Sequence, residues 1–393
     1  MSQAPAAVRP LIIQGDRSIL LEVNSPGFAE VRDELARFCE LEKSPEHIHT
    51  YRLTPLSIWN AAACGVSAAQ MLAVLDKYSR YEVPQNIRRE LEDTVSRYGK
   101  VRLVKEGEEL HLVSDDPLIL DQAAANAHIK QFFRERRDPL TVVVDDRFRG
   151  LLKQAFIRLG FPIEDLAGYV DGAPLAVKLR RQTLSGAPFS LRPYQQEARE
   201  IFYARGTTRG GSGVIVLPCG AGKTVVGLGI LSLLSTHTLI LTTSLTAVHQ
   251  WQRELLDKTE LDASDLGEYS GVLKDIRPVT VTTYQILTYR KSRTDPFKHF
   301  EIFSRYPWGL IIYDEVHLLP APVFRVTADI QGRRRLGLTA TLVREDHKED
   351  EVFTLIGPKK YDVPWKVLER QGYIAPARCT EVRVALPPAR RAE

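Results

Sequence analysis

Cysteine is scarce in this chain: Cys39, Cys64, Cys219 and Cys379 are the only four in 393 residues, and no two of them form a C-x-x-C pair. That spacing suggests neither a zinc site nor the disulfide framework of a small secreted domain, and reduced thiols are expected. Long apolar runs are missing too, none approaching the roughly 20 residues that span a bilayer. The opening MSQAPAAVRP lacks the basic start and apolar core of a signal peptide. Cytoplasm is therefore the expected compartment, with no membrane partner. Charge of one sign is also lacking, since a net +4 permits a nucleic-acid partner without demanding one. The basic clusters at Arg134, Arg136 and Arg137, at Arg180 and Arg181, at Arg333 to Arg335, and at Arg390 and Arg391 read singly as solvated faces. With 44% hydrophobic and 26% charged residues, the chain is globular, and long enough for about two to four domains.

The stretch that is present and informative is VIVLPCGAGKT, from Val214 to Thr224. A β-branched run leads into a glycine turn, and the helix-like TVVGLGILSLL follows. Backbone N–H groups of Pro218-Cys219-Gly220-Ala221-Gly222 can wrap a polyphosphate, apart from the proline, which has none. The helix start adds its partial positive charge, Lys223 neutralises the β- and γ-phosphates, and Thr224 can ligate Mg²⁺. Leu217 stands where the full G-x-x-x-x-G-K-[ST] pattern has its first glycine, so a chance glycine turn is the alternative for this stretch taken alone.

Residues 10–23 read as a β-hairpin, FAEVRDELARFCE as a helix and HIHTYRL as a strand. From Thr54 to about Asp116 the pattern predicts three helices and a hairpin around Gly107, a winged-helix-like unit that docks either DNA or protein. Residues 117–187 read as a small α/β unit, with PLILDQ, a helix through AHIKQFFRERR, the strand LTVVVD and a helix GLLKQAFIRLG, before the linker KLRRQTLSGAPFS. From Phe189 onward, short apolar strands alternate with helical segments, which predicts a parallel sheet with ligands at the carboxyl ends of its strands.

Asp314-Glu315-Val316-His317 follows the apolar run LIIY. A carboxylate at a strand end there can hold Mg²⁺ while its neighbour polarises the attacking water. A lone Asp-Glu pair is usually a surface turn; its place after a buried strand and a phosphate turn favours the catalytic reading. Thr339 and Thr341 of LTAT can couple the nucleotide pocket to a second site or simply end a strand. Thr282 and Thr283 of TTYQ can grip a phosphodiester backbone, or Thr283 can cap a helix.

In this order, LRPYQ, PCGAGKT, TTSLTAVHQW, TTYQ, DEVH and TAT resemble the first motor lobe of superfamily 2 helicases. The DEVH box, the triplet Arg344-Glu345-Asp346 and the stretch SPEHIHTYRLTPLSIWNA narrow the likeness to the XPB family of DNA repair helicases in its prokaryotic form. The resemblance implies an α/β chain. Residues 1–53 would be an N-terminal α/β segment, 54–116 winged-helix-like, 117–187 a damage-recognition-like domain, 188–375 a RecA-like lobe, and 376–393 a hinge. It implies an ATP- and Mg²⁺-dependent 3′-5′ DNA translocase of nucleotide excision repair acting on single-stranded and forked DNA, with a nuclease or repair-protein partner. Arg192 and Gln195 would lie at the nucleotide, Gln195 on adenine. Lys223 and Thr224 would serve the phosphates and metal, Asp314 and Glu315 the metal and water, and His317, Thr339 and Thr341 the coupling. Arg344, Glu345 and Asp346 would assist strand separation. The family's second lobe supplies arginine fingers, and the resemblance places none in this sequence, so weak hydrolysis by the chain alone is expected. The competing class is a nucleotide-gated binding module without catalysis. For Trp251 the residues leave DNA contact and packing open, packing being the commoner fate of tryptophan.

Overall fold

The computed structural model describes residues 9–292, 297–341 and 349–376. Its largest element is a sheet of seven parallel strands in the order Leu266–Tyr269, Val279–Thr283, Thr238–Thr242, Leu310–Asp314, Arg334–Thr339, Ser212–Val216 and Lys359–Asp362. The central strands read as nearly unbroken apolar runs because both faces are covered. One face packs the helices Pro193–Tyr203, Lys223–Leu234 and Leu245–Lys258 around Ile215, Ile240, Ile312 and Leu338. The other packs Ala321–Asp329 and its neighbours around Leu239, Ile311 and Tyr313. This is the parallel sheet expected from the alternating pattern, and it has the RecA-like form that the family resemblance implies. The strand Arg334–Thr339 lies between the phosphate-loop strand and the DEVH strand, so the carboxyl ends of three adjacent strands form one ledge.

The first half is partitioned differently from the expectation. The helices Pro55–Ala63, Ala68–Tyr78 and Gln85–Arg97 share one core with the antiparallel sheet Leu11–Ile13, Ser18–Glu22, Ile48–Arg52 and Glu40–Lys43. Local signals set two of the helix starts. Thr54 and Ser57 form a capping box with Pro55 in the first turn, and Ser67 pairs in the same way with Gln70.

The hairpin Val101–Glu106 and Glu109–Ser114 does not complete a wing on these helices. It is part of a five-stranded sheet with Phe133–Asp138, Thr141–Val144 and Ile163–Asp165, sharing its core with the helices Pro117–Ala125 and Arg149–Leu159. Leu103, Leu110 and Leu112 are buried by that second unit, which is why the hairpin belongs to it. PLILDQ is helical, begun by the Asp116 cap and Pro117, and FRERRD is a strand.

Both units dock on the lobe. Asn60 Oδ1 accepts the backbone N–H of Lys359 at 2.8 Å, covering the edge strand of the seven-stranded sheet. The helix Arg149–Leu159 packs against Ala321–Asp329. At that junction Asp165 accepts two bonds from Arg149 (2.7 and 2.9 Å) and one from Lys153 (3.0 Å), and Lys153 also donates to Gln331 of the lobe. The expected linker is fastened along the lobe, Arg180 N–H donating to the Lys258 carbonyl at 2.9 Å.

Candidate functional site

The phosphate loop follows from local geometry. Gly220 and Gly222 have φ of +79° and +77°, the left-handed region that favours glycine, and the turn they make runs directly into the helix Lys223–Leu234. Leu217, in place of the first glycine of the longer pattern, is fully buried, and its N–H donates to the Thr339 carbonyl at 3.0 Å. It closes the loop on the neighbouring strand, and the shorter glycine cradle from Gly220 to Gly222 remains.

Gln195 is 3% exposed and stitches the LRPYQ helix to this loop. Its Nε2 donates to the Ala221 carbonyl at 3.0 Å, while its Oε1 accepts from Arg192 N–H at 3.0 Å. Tyr194 OH donates to the same Ala221 carbonyl at 2.7 Å. Arg192 extends to the Tyr373 carbonyl at 3.1 Å and lies over the Tyr373 ring. The Tyr194 and Tyr373 rings are 5.3 Å apart. Tyr373 reaches the loop from the far end of the lobe, a neighbour that no sequence motif announces.

Across the ledge, Lys223 Nζ meets Glu315 Oε1 at 3.1 Å. Glu315 has φ of +49°, a strained setting for a non-glycine residue and one that recurs at active sites. Its Oε2 is buried and accepts no hydrogen bond among the described residues, although His317 Nδ1 faces it at 3.5 Å. Asp314 Oδ1 accepts from Glu315 N–H at 3.1 Å, and Oδ2 from Trp251 Nε1–H at 2.9 Å. Burial pushes the Asp314 carboxyl above the usual carboxylate range and Glu315 adds to this, while the Trp251 hydrogen bond and Lys223 oppose it.

A cation beside Asp314 would offset that penalty, and the orphaned Glu315 oxygen suits a metal-bound or attacking water. No group of three or more His, Cys, Asp or Glu among the described residues forms a metal cage. The lone pairs left on the Asp314 carboxylate beside the phosphate loop fit Mg²⁺, which keeps most of its shell as water and phosphate and takes one or two protein oxygens. Asp314, and Thr224 in the first turn of the helix Lys223–Leu234, are the residues that would supply them.

His317 Nδ1 lies 2.8 Å from Thr339 Oγ1, and the Thr339 hydroxyl bonds in turn to the Thr341 carbonyl. DEVH and TAT thus form one chain of contacts running from Lys223 through Glu315 and His317 to Thr341. The other expected hydroxyls sit differently. Thr282 is buried and donates to the Tyr269 carbonyl at 2.7 Å, while Thr283 accepts the Ile286 N–H as a helix cap. The Thr282 hydroxyl donates inside the lobe and Thr283 serves as a buried cap; the exposed neighbour is Gln285. Trp251 is packed, at 1% exposure. Arg344, Glu345, Asp346 and residues 377–393 lie outside the described residues.

The family described as "Type III restriction enzyme, res subunit" matches residues 188–344, and that described as "Helicase conserved C-terminal domain" matches residues 11–138. Over 97% of its length the chain is 51% identical to the DNA 3'-5' helicase XPB of Kineococcus radiotolerans, covering 67% of that protein. The chain belongs to the XPB family of DNA helicases. The XPB of Mycobacterium tuberculosis is 50% identical over the same share of the chain, with 68% of that protein covered. The XPB of Saccharomyces cerevisiae, named a subunit of general transcription and DNA repair factor IIH, is 29% identical over 96% of the chain, with 51% of its own length covered. In this XPB-family chain the lobe that carries the phosphate loop and the DEVH box is the part matched by the restriction-enzyme family.

Proposed function

We propose that this chain is the nucleotide-binding part of an ATP-driven DNA translocase that moves 3′ to 5′ and separates strands during DNA repair. The observation that carries the reading is the 3.1 Å pairing of Lys223 with Glu315, on a ledge where Asp314 presents a buried carboxylate. A phosphate-loop lysine and a DEVH glutamate meet there, as hydrolysis of a nucleoside triphosphate requires.

The Thr224 hydroxyl and the Asp314 carboxylate would hold Mg²⁺, which would supply charge neutralisation at the phosphates. Lys223 shifts its charge from Glu315 to the phosphates. The released Glu315 carboxylate orients a water and takes its proton as that oxygen bonds to the γ-phosphorus, the bond to the β,γ-bridging oxygen breaks, and the nucleoside diphosphate leaves. Gln195 and Arg192 set the adenine side of the pocket, with the Gln195 amide linking base recognition to the Ala221 carbonyl of the loop. His317, Thr339 and Thr341 carry the change to the neighbouring strand end.

DNA lies across the strand ends at Thr242 and Thr283, with Gln285 facing the backbone and Arg344, Glu345 and Asp346 assisting separation. Single-stranded and forked DNA are the substrates, a nuclease or another repair protein is the partner, and the cytoplasm is the compartment. The five-stranded unit serves as the damage-recognition-like domain.

The test is MgATP binding and hydrolysis with and without single-stranded DNA. Lys223→Ala is expected to abolish binding, and Glu315→Gln to abolish hydrolysis with binding retained. Absence of ATP binding by the unsubstituted chain refutes the reading.

A further inference from the structure

Two buried aromatic side chains converge on one aspartate from the segments that follow two neighbouring strand ends, Thr242 and Thr283. Trp251 belongs to the helix Leu245–Lys258, which starts at the end of the strand Thr238–Thr242, and its Nε1–H donates to Asp314 Oδ2 at 2.9 Å. Tyr284 opens the helix Tyr284–Thr288 at the end of the strand Val279–Thr283, and its OH donates to the Asp314 backbone carbonyl at 2.8 Å. Both side chains are buried. We infer that Trp251 and Tyr284 are positioning residues, which hold Asp314 in its metal-binding pose and tie that pose to the strand ends that face DNA. This inference rests on the nucleotide-site reading above and adds to it which residues link DNA contact to metal affinity.

The chemistry suits the role. An indole carries one N–H donor and no acceptor, so Trp251 fixes a carboxylate oxygen without competing as a ligand. With Oδ1 taken by the Glu315 N–H, the Trp251 bond holds both carboxylate oxygens in direction and leaves further lone pairs for a metal. The ring has no room to move aside. A Cβ added at Gly227, on the helix that begins with Lys223, would lie 2.7 Å from the Trp251 ring and 3.4 Å from Leu338. Trp251 is thus wedged between the phosphate-loop helix and the DEVH strand end.

Leverage follows from its place in the helix. Ser244 caps the helix that carries Trp251, and Thr242 bonds to the Thr282 carbonyl of the adjacent strand. From cap to indole is about 10 Å at 1.5 Å per residue. A shift of the capped end when DNA binds moves the indole as part of one rigid element. Tyr284, one residue beyond Thr283, transmits from the second strand end in the same way.

The test uses the full chain and the fluorescent nucleotide mant-ADP, titrated in EDTA and then across Mg²⁺ concentrations. Trp251→Phe removes the donor, and Tyr284→Phe removes one hydroxyl with no change of shape. Metal-free affinity is expected to stay within about twofold. The Mg²⁺ concentration for half-maximal binding should rise about tenfold in Trp251→Phe and about three- to fivefold in Tyr284→Phe, as for lost bonds to a charged and to a neutral acceptor.

In the ¹⁵N-tryptophan-labelled chain, the indole resonance absent from Trp251→Phe should move on Asp314→Asn. Unchanged Mg²⁺ dependence in Tyr284→Phe together with an indole resonance insensitive to Asp314→Asn overturns the inference even where Trp251→Phe unfolds. A parallel loss of metal-free affinity in both variants overturns it as well, since that marks a packing role alone. Failure of the unsubstituted chain to bind mant-ADP refutes instead the nucleotide reading beneath it.

Discussion

Replacing Asp165 with asparagine removes the buried carboxylate that Arg149 and Lys153 share at the junction between the five-stranded unit and the lobe, and leaves Arg149 facing only the exposed Asp146, at 4.0 Å, among the described residues. Arg149 is 3% exposed and Arg335, behind it, is fully buried. Burial alone would raise the Asp165 carboxyl, but Arg149 and Lys153 hold it below the usual range, so it is ionised. With cations in excess, one of them must give way. Burial drives Lys153 down to about 7, Asp165 opposes this, and the nearby charges of Arg335 and Arg149 push the same way as burial.

Two substitutions at one ion pair should therefore differ widely. Asp165→Asn strands the cations and should cost about 3–5 kcal/mol. Lys153→Met leaves the Arg149 pair intact, removes the surplus charge, and should cost about 1 kcal/mol or less. Urea unfolding followed by circular dichroism at pH 7 and pH 9 measures both. Lys153 has a folded value below its ordinary 10.5, so the folded state releases its proton first. Its contribution to stability is flat below about 7 and rises with pH above that, and Lys153→Met should abolish that rise. Asp165→Asn within about 1 kcal/mol of the unsubstituted chain, or Lys153→Met as damaging as Asp165→Asn, would refute the argument that the carboxylate is limiting.

Gly227→Ala sets a helix-propensity gain of about 1 kcal/mol against overpacking that costs about 1–3 kcal/mol. With only 2.7 Å to the Trp251 ring, thermal melts should show net destabilisation, by up to about 2 kcal/mol. Gln195→Glu turns a donor into a buried carboxylate against the Ala221 carbonyl. It should weaken nucleotide binding at least about tenfold by the cost of that unpaired contact, measured with mant-ADP. Thr283→Ala loses a helix cap worth about 1 kcal/mol and should leave DNA affinity unchanged. Gln285→Ala should lower DNA affinity about threefold or more in fluorescence anisotropy.

The lobe was legible because its central strands are short apolar runs that end next to residues with chemistry: Val216 ahead of the glycine turn, and Thr242, Thr283, Asp314 and Thr339 at their own strand ends. Strand order was not, since the insertion of Arg334–Thr339 between the phosphate loop and DEVH depends on crossovers that no local pattern records. The same limit explains the hairpin at 101–114. Its own pairing is local, but its edge partners are Thr141–Val144 and Ile163–Asp165, and burial against them decides which unit owns it. Asp116-Pro117 was a readable helix start, because cap and proline fall in the preferred positions. FRERRD was harder, as its charged, exposed residues carry no apolar alternation. Within the site, Lys223, Asp314 and Glu315 announced themselves by motif. Trp251 and Tyr284 lie in the HQW and TTYQ motifs, but their roles were not legible, nor was that of Tyr373, because each is a contact made with a distant part of the chain.

The helix Pro55–Ala63, which lends Asn60 to the edge strand Lys359–Asp362, also bears on how the chain comes off the ribosome. A parallel sheet assembles slowly, and its last strand offers unpaired backbone groups to any neighbour. Here the covering helix is translated some 300 residues before that strand. Since N-terminal units fold first during synthesis, the cap is in place when the final strand arrives, and the growing motor is shielded from edge-to-edge aggregation at the moment it is most exposed.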